Sequence, residues 1–95
     1  MFASYIQMKF KPGMKQSAMD YAAGLRNQME QIDGANQILL IDGEGDEALA
    51  IAIYDSKAHQ EAAAEKAQAV MAGMAEFLAA VPERQGREIL LNDKL

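Results

Sequence analysis

A repeated change of hydrophobic period constrains this chain more than any other feature. From Ser4 to Phe10 the residues alternate, with Ile6, Met8 and Phe10 on one side and Tyr5, Gln7 and Lys9 on the other. That is the period of a strand with one buried face. After Lys11-Pro12-Gly13 the step changes. Met14, Ala18, Tyr21, Ala22, Leu25, Met29 and Ile32 recur at intervals of three and four, with Lys15, Gln16, Arg26, Asn27 and Glu30 between them. This predicts an amphipathic helix of about five turns. Asp33-Gly34 ends it, glycine being common just beyond a helix C-terminus.

The same alternation of periods then repeats. Gln37 to Asp42 and Ala48 to Tyr54 are β-rich runs separated by Gly43-Glu-Gly-Asp46, which reads as a hairpin. Asp55 or Ser56 can cap a second helix, because either side-chain oxygen can accept from the free N–H groups of the first turn. Its apolar line is Ala63, Ala67, Val70, Met74, Phe77 and Val81, and Pro82 is expected to end it. Gly86 precedes a last predicted strand, Arg87 to Asn92. A short echo supports two similar halves: Ile38-Leu39-Leu40 with Asp42, and Ile89-Leu90-Leu91 with Asp93. The order is β-α-β-β-α-β. Right-handed crossovers then give an α+β, ferredoxin-like domain, a four-stranded antiparallel sheet with both helices on one face.

Ninety-five residues make a single domain, 1–95, whose own core is modest. Nine Lys and Arg against fourteen Asp and Glu leave a net charge of −5. Without a basic patch the chain does not read as a nucleic-acid binder. With no cysteine it forms neither a disulfide nor a thiolate site. No apolar run approaches the roughly 20 residues of a membrane span. MFASYIQMKF lacks the basic flank and apolar block of a signal peptide, so a cytoplasmic protein is expected. The acidic hairpin DGEGDE begins like a calcium loop, but Glu47 stands where glycine is needed and Ile53 where glutamate is needed. It reads as a solvated turn, and no metal or cofactor is expected.

Strand alternation sorts the sheet into two faces. The helix-facing set is expected to be Ile6, Met8, Phe10, Ile38, Leu40, Leu49, Ile51, Ile53, Ile89 and Leu91. The other face would carry Tyr5, Gln7, Lys9, Leu39, Ile41, Ala48, Ala50, Ala52, Tyr54, Glu88, Leu90 and Asn92. Such a face is too apolar to leave open in a monomer. A two-fold homodimer, sheet against sheet, is the expected partner arrangement. The small Ala48, Ala50 and Ala52 would leave room for a pocket, or the interface would simply be closely packed.

The element order, the length and the segment ALAIAIYDSKAHQEAAAEKAQAVMAGMAEFLAAVPERQGREILL resemble the dimeric α+β barrel proteins, and most of all their antibiotic biosynthesis monooxygenase-like branch. The resemblance spans nearly the whole chain and rests on pattern. It implies a homodimer whose sheets form a barrel, with a cavity in each subunit between sheet and helices. Some members oxidise quinol-like aromatic compounds with O₂ and no cofactor, others degrade haem, and several only bind small molecules. Oxygenases of the branch often place a tryptophan near the end of the third strand and an asparagine on the first. Here Tyr54 stands at the former place and Gln7 is the only amide on the first strand.

The candidate site residues follow. His59, the only histidine, lies one turn inside the second helix, where the positive end of the helix favours the neutral ring that a general base needs. It would serve as catalytic base in a monooxygenase acting on a quinol-like compound, or only hydrogen-bond a neighbour. Tyr5, Gln7, Tyr54 and Asn92 would anchor a small hydrophobic or aromatic ligand, or equally pair across the dimer interface. Three readings stay open: a binding protein, a cofactor-free monooxygenase, and a purely structural dimer.

Overall fold

The computed structural model describes residues 1–95. Four antiparallel strands, β1 (Phe2–Lys9), β2 (Ala35–Asp42), β3 (Glu47–Tyr54) and β4 (Arg84–Glu88), form one sheet in the order β2-β3-β1-β4. Both helical segments cross between strands, which makes the fold the α+β, ferredoxin-like one expected. The inward positions of β1 are Ser4, Ile6 and Met8, and Phe10 just beyond it continues the line into the core. Ala18, Ala22, Met74, Phe77 and Leu78 close over them. No helix is long and apolar enough to cross a membrane.

The first helical segment is two helices, α1 (Lys15–Ala23) and α2 (Arg26–Glu30), not one. At the joint the N–H of Gly24 donates to Tyr21 O and that of Leu25 to Ala22 O. These tighter i→i−3 bonds turn the helix so that Leu25 stays buried. At the other end of the first crossover unit, Lys15 reaches the hairpin, pairing with Asp42 and donating to Gly45 O at 2.9 Å. The Lys15 ammonium, by hydrogen bond and charge, holds the Asp42 carboxyl below its ordinary range. This contact therefore favours the folded chain above that range and fades as pH falls through the lowered value.

The second helical segment is α3 (Lys57–Ala62) and α4 (Ala64–Gly73), followed by a single 3₁₀ turn, Ala75–Phe77. It ends well before Pro82. The reason lies in β1, whose C-terminal backbone groups capture the chain there. Lys11 N–H donates to Phe77 O at 2.9 Å, Ala79 N–H donates to Lys9 O at 2.8 Å, and Phe10 bridges Leu78. The extended step at Leu78 lets consecutive residues Phe77 and Leu78 both enter the core, which a continuing helix would not allow. Tyr21 packs on α4 at Gly73, where any Cβ would overlap its hydroxyl.

Two expectations about the sheet are corrected. The first concerns β3. Ile6 pairs with Ala50, Met8 with Ala48, Ser4 with Ala52 and Phe2 with Tyr54. Paired residues share a face, so Ala48, Ala50, Ala52 and Tyr54 lie under the helices. Leu49, Ile51 and Ile53 lie on the open face beside Tyr5, Gln7, Leu39 and Ile41. The second concerns the last strand, which runs over Arg84–Glu88 and not Arg87 to Asn92. Glu88 already faces Phe2, the first residue of β1, and the last bond beyond it joins Ile89 N–H to Met1 O. Ile89, Leu90, Leu91 and Asn92 therefore lie past the sheet, on neither face, and the Ile-Leu-Leu echo marks no structural equivalence.

Candidate ligand cavity

Putting the alanines of β3 beneath the helices moves the free space there. A cavity of about 660 Å³ lies between sheet and helices, within the usual range for small-molecule sites. Its floor is Ser4 and Ile6 of β1, Ile38 and Leu40 of β2, and Ala50, Ala52 and Tyr54 of β3. Met19 and Ala22 of α1, Met29 of α2, and Val70 and Met71 of α4 roof it. Small side chains on both sides leave the room, and three methionines give the roof adaptable walls. The cavity opens along β2. Ile38 and Leu40 point to the helix side yet stay 45% and 42% exposed.

One end is polar. Arg84 of β4 donates from Nη2 to Gln60 O at 2.9 Å and to Tyr54 Oη at 3.4 Å, and its guanidinium lies 5.8 Å from the centre of the Tyr54 ring. No carboxylate pairs with it. The other arginine on the cavity wall, Arg26, is neutralised at the lip by Glu30 at 2.7 Å. Ser4 and Tyr54 are each only 3% exposed. Ser4 sits between Ala52 and Gly86 in register, diagonal to both Tyr54 and Arg84. Gly86 lets Phe2 and Gln60 pack against β4 beside this strip, because a Cβ there would meet the Phe2 ring at 2.8 Å and the Gln60 amide at 3.0 Å.

Of the residues singled out from sequence, Tyr54 alone lines the cavity. Tyr5 is on the open face, where its hydroxyl donates to Gln85 Oε1 at 3.1 Å and Arg87 lies over its ring. Gln7 is exposed on the same face, opposite Leu49. Asn92, beyond β4, donates to the Met1 sulfur at 3.3 Å. His59 lies outside the cavity wall. Ser4 and Arg84 were missed. The signal for Ser4 was present, a hydroxyl on the otherwise apolar inward line Ser4-Ile6-Met8-Phe10. Arg84 gave none, because the polar run Pro82–Gln85 resembles a loop.

His59 belongs to a corner built on Gly34. Ser56 caps α3, its Oγ accepting from His59 N–H at 3.2 Å and lying 2.7 Å from Nδ1. Asp33 Oδ2 is 3.8 Å from Nε2. Serine, histidine and aspartate thus follow one another as in a nucleophilic triad. The distance to Asp33 is too long for a hydrogen bond, however, and Asp33 is fully exposed. The ring packs on Gly34, which has φ +75° and where a Cβ would overlap Cδ2 and Cγ of the imidazole. Gly34→Ala is therefore expected to lower stability by about 2 kcal/mol or more, from the left-handed backbone and the clash together. Adding His59→Ala should recover part of that loss in urea unfolding; no recovery would contradict the packing argument.

No protein-family model matches the chain, and no curated protein matches it significantly. Solved structures do. A Nitrosomonas europaea protein of unknown function superposes with a TM-score of 0.82 at 19% identity, over 99% of this chain and 93% of its own. A Bordetella bronchiseptica protein, provisionally described as an antibiotic biosynthesis monooxygenase, gives 0.79 at 12% identity, over 95% and 97%. The Mycobacterium tuberculosis protein Rv0793 gives 0.74 at 14% identity, over 98% of each chain. The chain has the fold of the antibiotic biosynthesis monooxygenase-like proteins. At these identities the likeness is one of fold, and the cavity has to be read from its own residues.

Proposed function

We propose that the protein is a homodimer, joined through the open faces of its sheets, in which each subunit binds a small hydrophobic molecule between sheet and helices. The observation that carries this reading is the cavity itself, apolar over most of its wall, open along β2 and polar at one end. Dimerisation is supported by the concentration of Leu39, Ile41, Leu49, Ile51 and Ile53 on a face that nothing in the subunit covers. The place of His59, outside the cavity wall and packed on Gly34, favours binding over an oxygenase that uses His59 as base.

Titration with the neutral dye Nile red tests the reading. The wild-type protein should bind it with a blue-shifted emission. Ala52→Leu puts an isobutyl group in place of a methyl on the cavity floor without touching the open face, and should weaken binding about tenfold, equivalent to about 1.4 kcal/mol. Dye binding that is indifferent to Ala52→Leu would place the dye elsewhere and sink the proposal.

A further inference from the structure

We infer that the ligand of this cavity is a hydrophobic carboxylic acid, bound as its anion with the carboxylate at Arg84 and Tyr54 and the apolar body along the β2 side. The inference rests on the ligand-binding reading above and adds the chemical class of the ligand.

The polar end of the cavity carries donors without matching acceptors. Two of Arg84's contacts use Nη2 alone, and its Nη1 and Nε make no hydrogen bond within the chain. Tyr54 Oη accepts from Arg84, but its own proton goes to no acceptor, although the residue is 3% exposed. Buried tyrosine hydroxyls normally find an acceptor. Ser4 supplies another hydroxyl at the same end, in register between the strands that carry the other two. A guanidinium, a phenol proton and a serine hydroxyl facing one apolar space call for an acceptor that carries charge.

The charge count selects a carboxylate. Arg84 is the cavity's single cation without a carboxylate partner, since Arg26 is already paired with Glu30. One guanidinium matches one negative charge, and its planar fork fits the two oxygens of a carboxylate. A phosphate would bring more charge than this end can balance in a chain with a net charge of −5. Apart from Arg26, Glu30, Asn36 and Gln37, the remaining wall is built of alanine, methionine, valine, leucine and isoleucine and suits a hydrocarbon or aromatic body.

The experiment compares 2-naphthoate with its methyl ester at pH 7, by fluorescence or calorimetric titration of the intact protein. The ester is the more hydrophobic of the two and would bind more tightly to a merely greasy cavity. The expected result is the reverse: the acid binds at least about tenfold more tightly to the wild-type protein, and the preference weakens as salt is raised. Arg84→Met should abolish the preference while keeping ester binding, and Arg84→Lys should retain part of it. Equal binding of acid and ester, or a preference that survives Arg84→Met, would overturn the inference. Circular dichroism checks that each variant is folded. Should Arg84→Met not fold, the acid–ester comparison and its salt dependence in the wild-type protein decide the question alone. If Nile red binds but naphthoate does not, the acid inference fails and the cavity reading stands. If neither binds, both fail.

Discussion

Truncation of Phe10 to alanine is expected to lower the unfolding free energy by about 3–5 kcal/mol. Phe10 is the only large side chain that is fully buried, at 1% exposure, and it shares its cluster with Met8, Ala18, Phe77 and Leu78. Its neighbours Ala18 and Ala22 are too small to collapse into the space, which enlarges the loss. A domain of this size has about 5–15 kcal/mol in total, so the variant should lose a large fraction of its stability. Urea unfolding followed by circular dichroism measures it. Val81→Ala, at a residue 93% exposed, is the control and should change stability by less than about 0.5 kcal/mol. Comparable effects at the two sites would refute this picture of the core.

The second large effect is expected at the open face. Ile51 lies at its centre, with Tyr5 on one side and Leu39 on the other. In the proposed dimer a carboxylate here would be buried without a partner, which costs several kcal/mol, and two-fold symmetry would bring the two charges towards each other. Ile51→Asp should therefore raise the dimer dissociation constant about a hundredfold or more, about 3 kcal/mol. Each subunit should keep its secondary structure, because the face is outside its own core. Sedimentation at several protein concentrations reads the outcome. A wild-type protein that sediments as a monomer at micromolar concentration would refute the dimer outright.

How far these features could be read in advance differed from element to element. β1 declared both its existence and its inward face, because Ile6, Met8 and Phe10 alternate with Tyr5, Gln7 and Lys9. The hairpin was equally plain, with an apolar strand on either side of a Gly- and acid-rich turn. β3 declared its existence but not its orientation. Both of its alternating sets are apolar, Ala48-Ala50-Ala52 and Leu49-Ile51-Ile53, so pattern offered no polar side to turn outwards. Size would place leucine and isoleucine inside; the register with β1 places the alanines there. That single inversion puts the room left by the small side chains between sheet and helices, where the family resemblance placed the cavity, and takes Tyr5 and Gln7 out of it.

The last strand failed for the opposite reason. Ile89-Leu90-Leu91 is the most strand-like run near the C-terminus, whereas Arg84–Glu88 is polar throughout apart from Gly86. A short edge strand needs a neighbour more than it needs β propensity. β1 offers that neighbour to Arg84–Glu88 and nothing beyond. Arg84 becomes a site residue only through this pairing, which carries it across β1 to the hydroxyl of Tyr54.

The sequence by itself determined the order of elements, the hairpin, the inward line of β1 and hence the α+β ferredoxin-like class, because hydrophobic period and turn chemistry are local properties of the chain. Only the tertiary structure decided which apolar face of β3 lies under the helices, where the helical segments break and end, and which polar groups share the cavity. Those depend on register between strands distant in sequence, where one residue of slip exchanges the two faces.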